Sequence, residues 1–247
     1  MSDSIVIIPT YNEKENVAKM LEAVFSLSKP FHVLIVDDGS PDGTADIVRH
    51  NQAKFPNSLF LLERKGKLGL GTAYIAGFQW GLERDYDYFF EMDADFSHSP
   101  NDLLKLYEAC HDQHADMSVG SRYVKGGKLV NWPLDRIALS YGASLYVRLI
   151  TLMPVKDPTA GFVCYTRKLL KTIDLQKIRF VGYAFQIEMK FASRMLGFKI
   201  QEVPITFTER VEGVSKMSKN IIREAIVGVL QMRWKSFFES YRKNEAL

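Results

Sequence analysis

The sequence predicts an α/β fold built on a doubly wound, mostly parallel sheet. Two observations predict it: short apolar runs alternate with segments of helical periodicity in the first half of the chain, and polar clusters follow four of those runs. Such alternation is typical of parallel sheets with helices on both faces. Ligands of these sheets bind beyond the carboxyl ends of the strands, so the polar clusters are the candidate functional residues.

The elements follow from hydrophobic periodicity. Five apolar runs predict buried strands: Ile5–Ile8, Val33–Val36, Leu59–Leu62, Tyr88–Met92 and Met117–Gly120. Four segments between them have a period near 3.6 and predict helices: Asn16–Leu27, Ala45–Phe55, Ala73–Arg84 and Asp102–His111. The less regular second half predicts, in order, a helix, a strand, a helix, a strand and a last amphipathic helix: Leu134–Met153, Gly161–Tyr165, Phe185–Leu196, Ile200–Phe207 and Lys219–Tyr241.

Composition excludes several classes of protein. With 32 Lys and Arg against 29 Asp and Glu, the net charge of +3 is too small to indicate a general nucleic-acid binder. The two cysteines lack metal-ligand spacing and favour a reducing compartment. The apolar run Ile5–Ile8 is too short for a signal peptide, and the most apolar long stretch, Ile137–Val155, is interrupted by Arg148. We therefore expect a chain that is not integral to a membrane.

Asp93-Ala-Asp95, after the predicted fourth strand, has the clearest chemical logic. Carboxylates in a strand-end loop can hold a hard divalent cation through oxygen ligands. Such a cation bridges diphosphate oxygens and neutralises the charge on a departing nucleotide. Two solvated loop acids explain the tripeptide alone more simply, but the longer sequence from Phe90 to Pro100 is far more specific.

Three further clusters follow predicted strands: Pro9–Glu13, Asp37–Thr44 and Ser121–Tyr123. Ordinary turn and N-cap chemistry explains Asp37–Thr44 equally well in isolation. The glycine-rich segment Lys65–Thr72 lacks the spacing of a P-loop or a dinucleotide fingerprint, so it is either a flexible loop over a nucleotide or a tight turn. All four clusters together on one sheet edge favour a binding site.

Together these motifs resemble the dolichol- and polyprenol-phosphate mannosyltransferases, which are family 2 glycosyltransferases with the GT-A fold. The matching segments follow one another in order: Pro9–Glu13, Val36–Thr44, Leu68–Tyr74, Met92–His98, Gly120–Tyr123, Asp157–Phe162, Gln186–Met189, Glu202–Phe207 and Ser215–Met217. We therefore predict a GT-A catalytic domain over residues 1–217. Residues 218–247 would form a C-terminal amphipathic helix that docks on a membrane or a partner.

The resemblance implies transfer of mannose from GDP-mannose to a polyprenyl or dolichyl phosphate, with Mg²⁺ or Mn²⁺ as cofactor. It implies that Asp95 ligates the metal, and Ser97 stands where some relatives carry a side-chain amide. The residues implied in binding the nucleotide sugar are Pro9, Tyr11, Glu13, Val36, Asp38, Asp93, Ala94, Arg122, Arg210 and Lys216. Those implied in catalysis are Asp95, Arg122, Arg136, Arg210 and Lys216, with Arg136 on the acceptor phosphate.

The chemistry of the acceptor agrees with this assignment. A phosphate monoester has a second pKa of about 6, so it is largely dianionic at neutral pH and needs no protein base. The task of the enzyme is then positioning and electrostatics, and direct displacement would invert the anomeric carbon to give a β-linked product. Gln186 and Glu188 have either a contact with the sugar or a structural role.

The last predicted helix carries an apolar, aromatic stripe bordered by cations, which favours the interface of an anionic membrane over packing on its own domain. Leu134–Met153 is a second apolar element that could guide the lipid chain. We expect a peripheral protein on the cytoplasmic face of a membrane, and a small membrane subunit, which some relatives use, is a candidate partner. No nucleic-acid partner is expected.

Two alternatives stay open. One is a related transferase that moves glucose or an aminosugar from a UDP donor to polyprenyl phosphate, since nothing physical in the sequence separates guanine from uracil. The other is a catalytically silent module that binds a nucleotide sugar.

Overall fold

The computed structural model describes residues 2–182, 184–209 and 219–244 of the chain. Over these residues the strands are β1 Ser4–Thr10, β2 His32–Asp37, β3 Leu59–Glu63, β4 Tyr88–Glu91, β5 Met117–Ser121, β6 Lys128–Val130, β7 Val163–Thr166, β8 Ile200–Pro204 and β9 Thr206–Thr208. The helices are α1 Val17–Phe25, α2 Thr44–Gln52, α3 Leu70–Leu82, α4 Asp102–His111, α5 Leu134–Thr151, α6 Arg167–Thr172, α7 Ala184–Met195 and α8 Lys219–Lys235, with a 3₁₀ turn at Leu175–Lys177.

The main sheet has seven strands in the order β3-β2-β1-β4-β7-β5-β8. Every neighbouring pair is parallel except the two that β7 makes, which are antiparallel. The prediction of a mostly parallel, doubly wound sheet is therefore confirmed. Strand β1 lies between β2 and β4, so the order of the strands reverses there, which is the place where such sheets form a ligand crevice.

Side chains of β1 alternate between the two faces of the sheet. Val6 and Ile8 belong to the core on the side of α1 and α4, whereas Ile5 and Ile7 belong to the core on the side of α3 and α7. Helix α3 lies close to β1 because Gly77 faces the strand: a Cβ there would lie 2.5 Å from the Cγ2 of Ile7. Helices therefore cover both faces of the sheet at β1, and a ligand can reach this strand at its carboxyl end.

The single strand predicted over Ile200–Phe207 is wrong, because the segment divides between two sheets. Strand β8 ends at Pro204 beside Ser121, and β9 then pairs in parallel with β6 in a separate two-stranded sheet. Ile205, between the two strands, donates its N–H to the carbonyl of Ser121 at 3.2 Å. The small sheet carries the chain from β5 toward the start of α5.

The last helix is shorter than predicted, ending at Lys235 instead of Tyr241. The chain then turns back along the end of α6, where the N–H of Asp174 donates to the carbonyl of Tyr241 at 2.8 Å. Val229 and Met232 bury one side of α8 against a cluster that includes Val147 and Phe191. The domain boundary that we predicted at residue 217 lies outside the described residues.

Candidate active site

Four strand ends meet at one edge of the sheet, as the polar clusters predict. Strands β1, β2, β4 and β5 all point the same way, so the loops that follow them emerge side by side. Pro9 and Val36 are register partners near the ends of β1 and β2. The structure thereby brings the clusters that follow β1, β2 and β4 around the crevice between β1 and β4. The cluster that follows β5 lies farther along the same side of the sheet.

The loops after β1 and β2 are held together by hydrogen bonds. The N–H of Asn12 donates to Ser40 Oγ, and the N–H of Glu13 donates to Thr44 Oγ1, both at 3.0 Å. Asn12 has a φ of 62°, a left-handed conformation that asparagine tolerates well. These contacts fix the backbone that presents Tyr11 and Glu13, so this corner of the site is built before any ligand arrives.

Adjacent aspartates at the end of β2 have different surroundings. Asp37 is buried and accepts hydrogen bonds from Thr10 Oγ1 at 2.8 Å and Ser40 Oγ at 2.6 Å, which makes it part of the scaffold. Asp38 accepts from Arg64 Nε at 2.6 Å, and the same guanidinium donates to Thr72 Oγ1 at 2.8 Å. Asp38 is therefore tied to the glycine-rich segment across the site.

Arg64 is a site residue that our sequence analysis missed. It follows β3 directly, so its position at a strand end was the signal that could have found it. Its Nη2 also approaches the carbonyl of Gly69 at 3.4 Å, which closes the turn over residues 64–69. Gly69 needs to be glycine, because its φ is 103° and a Cβ would lie 2.9 Å from the carbonyl oxygen of Val181. Within this turn, Lys67 Nζ lies 5.0 Å from the ring centre of Tyr11.

The loop after β4 carries the candidate metal-binding residues. Asp95 is half-buried and its Oδ1 accepts the N–H of Ser97 at 3.0 Å, while Asp93 Oδ1 lies 3.4 Å from the Tyr74 hydroxyl. Ala94 and Ser97 are buried, and Thr208 donates its N–H to the Ser97 carbonyl at 3.1 Å. The loop, which carries two carboxylates, is thus held by contacts to α3 through Tyr74 and to β9 through Thr208.

The carboxylates of this loop can be tested for their fit to a divalent cation. Among the described residues there is no cluster of three or more His, Cys, Asp or Glu side chains that could enclose an ion. Mg²⁺ is usually bound by one or two carboxylates together with the phosphates of a substrate, and not by an all-protein cage. Asp95 in its half-buried loop has the chemistry that this mode of binding needs.

His98 forms the floor of the same loop. Its ring stacks on Phe162 at 4.9 Å between centres and meets Phe207 edge-on at 5.0 Å. Burial lowers the pKa of His98 to about 4, although the nearby charge of Asp95 acts in the opposite direction. The imidazole is therefore neutral at physiological pH and contributes packing to this loop.

Arg122, directly after β5, lies in a buried ion pair with Asp157. Its Nε and Nη2 donate to the two carboxylate oxygens, both at 2.7 Å, and Nη2 also donates to Thr159 Oγ1 at 2.9 Å. Burial alone would lower the pKa of Arg122, but the hydrogen bonds and charge of Asp157 outweigh it and raise that pKa. The Arg122 side chain is 9% exposed and the Asp157 side chain 0%, so this ion pair is shielded from solvent.

The backbone at Asp157 is held by Glu202. The N–H groups of Lys156 and Asp157 donate to the Glu202 carboxylate at 2.8 and 2.9 Å. Asp157 lies in the matching segment Asp157–Phe162, but its partner could not be predicted from the sequence. Its role is to place the arginine at the end of β5.

A second arginine, Arg136, lies in the first turn of α5. Its Nη1 donates to Oε1 of Glu209, and its guanidinium carbon lies 4.1 Å from the ring centre of Trp132. The exposed fractions are 29% for Arg136 and 34% for Glu209, so this pair is open to solvent. Glu209 is another residue whose part in the site the sequence did not indicate.

Beneath the β4 loop lies a buried polar network. Gln186 Nε2 donates to Glu91 Oε2 at 2.7 Å, and Lys190 Nζ donates to the Ala160 carbonyl at 2.6 Å and to the Gln186 carbonyl at 3.1 Å. Burial raises the pKa of Glu91 to about 8 and lowers the pKa of Lys190 to about 8. The network joins the end of β4 to α7 and to the segment that carries Asp157.

The two residues of α7 that were left open, Gln186 and Glu188, both have partners within the protein. Glu188 is buried: its Oε2 accepts the N–H groups of Arg179 and Phe180 at 2.8 and 3.0 Å, and Tyr241 donates to its Oε1 at 3.2 Å. These contacts favour the structural role for both side chains. Arg210 and Lys216 lie outside the described residues.

Comparison with known sequences now decides the family. The profile described as glycosyl transferase family 2 matches residues 5–179. The chain belongs to this family.

A polyprenol monophosphomannose synthase from Mycolicibacterium smegmatis is 46% identical over 228 residues, covering 92% of this chain and 86% of the relative. An undecaprenyl-phosphate mannosyltransferase from Micrococcus luteus is 48% identical over 234 residues, covering 93% and 95%. A dolichol-phosphate mannosyltransferase from Pyrococcus furiosus is 35% identical, covering 93% and 63%.

Solved structures agree on the fold. A mannosyltransferase from Pyrobaculum calidifontis, solved with GDP-Man and Mn²⁺, superposes with a TM-score of 0.61 at 18% identity and covers 98% of this chain and 66% of that one. A glucosyl-3-phosphoglycerate synthase from Mycobacterium tuberculosis, solved with Mn²⁺, UDP and glucosyl-3-phosphoglycerate, gives 0.65 at 15% identity, covering 93% and 79%. The family 2 chain described here is thus a glycosyltransferase with the GT-A fold, as predicted.

The two arginine pairs predict different effects on stability. Asp157→Asn leaves the Arg122 guanidinium buried without a counter-charge, so we expect the free energy of unfolding to fall by about 3–5 kcal/mol. Glu209→Gln removes one acid from a partly exposed pair and should cost less, about 1 kcal/mol. Urea unfolding followed by circular dichroism measures both variants against the wild type, and equal losses would contradict the assignment.

Proposed function

We propose that this glycosyltransferase moves mannose from GDP-mannose to a polyprenyl phosphate in a metal-dependent, inverting reaction. The observation that carries the proposal is the 46–48% identity, over more than nine-tenths of the chain, to two relatives named for mannose transfer to polyprenol and undecaprenyl phosphate. The product would be the β-linked lipid-phosphate mannose. A dolichyl phosphate is an acceptor of the same chemistry.

In the proposed complex the nucleoside occupies the corner formed by β1 and β2. Tyr11, Glu13 and Asp38 would contact the base and ribose, with Pro9 and Val36 forming the backbone floor. The hydrogen bonds between the two loops and the Arg64–Asp38 pair support this assignment, because they fix these groups in advance. Preorganised groups of this kind lower the cost of binding.

The diphosphate would extend from that corner to the β4 loop, beside Asp93 and Ala94. Asp95 would hold the Mg²⁺ or Mn²⁺, and Ser97 stays a candidate ligand. The bound cation supplies charge neutralisation to the departing nucleoside diphosphate. Arg210 and Lys216 remain the proposed cations for the sugar-diphosphate. Arg122, which the resemblance also implies, is paired with the buried Asp157 and would act here by positioning the loop after β5.

The acceptor phosphate would be held by Arg136 at the start of α5. Because the phosphate is largely dianionic near neutral pH, it attacks the anomeric carbon without losing a proton to the protein. The side chains described above then have one task, which is to hold two anionic reactants in line against their mutual repulsion. Attack from the face opposite the leaving group inverts the anomeric centre.

The alternative sugar donors differ from GDP-mannose in base and sugar. The two structural neighbours carry GDP-Man and UDP, so the shared fold does not choose between the bases. The names of the sequence relatives favour mannose. The silent binding module is set aside, because the chain belongs to a family of enzymes and its close relatives are named as transferases.

We further propose that the protein lies peripherally on the cytoplasmic face of a membrane, through α5 and α8. In the described part of the chain no helix is long and apolar enough to span a bilayer. Large apolar side chains are nonetheless exposed along both helices and just after α8: Leu134, Leu139, Tyr141, Leu145, Leu149, Leu152, Ile226, Val227, Leu230, Trp234, Phe237 and Phe238. A surface of this kind marks a membrane or partner contact, and a small membrane subunit is the second candidate occupant.

The reaction is tested by incubating the protein with Mg²⁺ or Mn²⁺, farnesyl phosphate and one of three labelled sugar donors. We expect a β-linked lipid-phosphate mannose from GDP-mannose, identified by mass spectrometry and by the anomeric coupling in NMR. UDP-glucose and UDP-N-acetylglucosamine should give no product. Efficient transfer from either UDP donor, or an α-linked product, would contradict the proposal.

The metal site is tested by Asp95→Asn in the same assay. Losing a direct carboxylate ligand should lower kcat/KM by at least about 100-fold, since even outer-sphere partners of a metal are worth 10–100-fold. Asp85→Asn is the matched control, an exposed acid between α3 and β4 at the opposite edge of the sheet. Near-normal turnover by Asp95→Asn in the presence of a chelator would contradict the assignment of Asp95 as a metal ligand.

The membrane surface is tested by Trp234→Ser combined with Phe238→Ser. Removing two exposed aromatics weakens insertion into the interface, so we expect slower transfer to undecaprenyl phosphate in anionic vesicles. Transfer to farnesyl phosphate in solution should be unchanged, because these side chains lie outside the crevice. Equal losses with both acceptors would point to damage of the fold instead.

A further inference from the structure

Two arginines approach the same tryptophan at the acceptor end of the site. The guanidinium carbons of Arg122 and Arg136 lie 5.7 and 4.1 Å from the ring centre of Trp132. Each arginine has an acidic partner in the described structure: Asp157 for Arg122 and Glu209 for Arg136. Whether a further anion can bind here depends on which acid can leave.

The acid on Arg122 cannot leave without unfolding its surroundings. Asp157 is fully buried and binds the guanidinium through both carboxylate oxygens, and it also accepts the backbone N–H of Arg122 at 3.0 Å. Breaking a buried, bidentate pair strands two charges in a medium of low polarity. Arg122 is therefore committed to Asp157.

The acid on Arg136 is held much less firmly. One hydrogen bond, between Nη1 and Oε1, joins Glu209 to the arginine, and both side chains are about a third exposed. Exposed ion pairs contribute little to stability because water solvates both partners well. The face of Trp132 supports the guanidinium independently, so Arg136 keeps a defined place when the carboxylate departs.

The backbone of Glu209 is fixed while its side chain is accessible. Its N–H donates to the carbonyl of Val130 at 3.1 Å, at the end of the ladder between β6 and β9. The carboxylate can consequently swing away from Arg136 by side-chain rotation alone. It is an anion attached to the protein, placed where an incoming anion would need to bind.

We propose that Glu209 holds the place of the acceptor phosphate on Arg136 and is exchanged for it when the lipid phosphate binds. This inference rests on the proposed function, which assigns the acceptor phosphate to Arg136. A phosphate dianion carries more charge than a carboxylate and matches the planar fork of arginine with two oxygens, so it displaces Glu209. The two anions repel each other and do not share the guanidinium. A neutral polyprenol cannot displace the carboxylate, and Glu209 thereby selects phosphorylated lipids.

The test is to measure farnesyl phosphate binding by calorimetry, and its KM with GDP-mannose, for wild type and variants. Glu209→Gln removes the competing charge, so it should lower the KM and Kd for farnesyl phosphate by about 2- to 5-fold, with the KM for GDP-mannose unchanged. Arg136→Gln should raise the KM for farnesyl phosphate. Adding Glu209→Gln to Arg136→Gln should then give a smaller gain than Glu209→Gln alone, because no guanidinium remains to compete for and only the repulsion between the two anions is removed.

Asp135→Asn is the matched control, since it removes an exposed acid one residue away on the same helical turn. It should leave binding unchanged. An equal gain from Asp135→Asn would show a general effect of charge and overturn the exchange, and so would a loss of affinity in Glu209→Gln, which would mean that Glu209 orients Arg136.

The calorimetric arm separates this inference from the proposed reaction. If the variants bind farnesyl phosphate in the expected order while the protein transfers no sugar from GDP-mannose, that result would refute GDP-mannose as the donor and still support the exchange of Glu209 for the phosphate. Absence of farnesyl phosphate binding to the wild type would overturn both. Tighter binding of farnesol, which has no phosphate, to Glu209→Gln would support the selection of phosphorylated lipids.

Discussion

The parallel pairing of β1 with both β2 and β4 is the constraint on which the site depends. It places three loops that are far apart in sequence at one edge of the sheet and opens a crevice where the strand order reverses. The side chains of β1, β2 and β4 are mostly apolar and buried, so these strands hold the first residues of the three loops in fixed positions. Everything proposed for the sugar donor relies on the carboxylates of Asp38, Asp93 and Asp95 being held at that edge.

Charge is the second organising theme, because the proposed reaction brings two phosphate-bearing reactants together. The described structure uses buried pairs to fix the frame, as with Arg122–Asp157 and the Glu91, Gln186 and Lys190 network. It uses a partly exposed pair where a ligand charge would enter, at Arg136 and Glu209. Burial decides the difference: a buried ion pair is costly to break, whereas an exposed one exchanges readily with other ions.

Much of the fold was accessible from the sequence, since period-2 and period-3.6 patterns are local signals. The five strands and four helices of the first half all appear near their predicted places. Failures came where tertiary context decides. Ile200–Phe207 has one apolar pattern but serves two sheets, because the chain passes from a pairing with β5 to a pairing with β6. The last helix ends early because its aromatic continuation, including Tyr241, packs back on α7.

Site residues were predicted unevenly for a similar reason. Strand-end motifs led to Asp38, Asp95 and Arg122, because residue type and position along the chain identify such clusters. Their partners Arg64, Asp157 and Glu209 come from distant segments, and only the folded chain shows that they meet. The partners also distinguish the two arginines. Arg122 is paired with a buried acid, whereas the acid paired with Arg136 is partly exposed. Charged residues can be identified in a single sequence, but only the folded chain shows which of them are already neutralised by a partner.

A crystal structure of the protein with GDP-mannose and manganese, with the metal located by anomalous scattering, tests the proposed donor site most directly. We predict that the carboxylate of Asp95 holds the manganese beside the diphosphate, with the guanine ring in the corner beside Tyr11. A metal bound away from the β4 loop, or a nucleotide outside the crevice between β1 and β4, would contradict it.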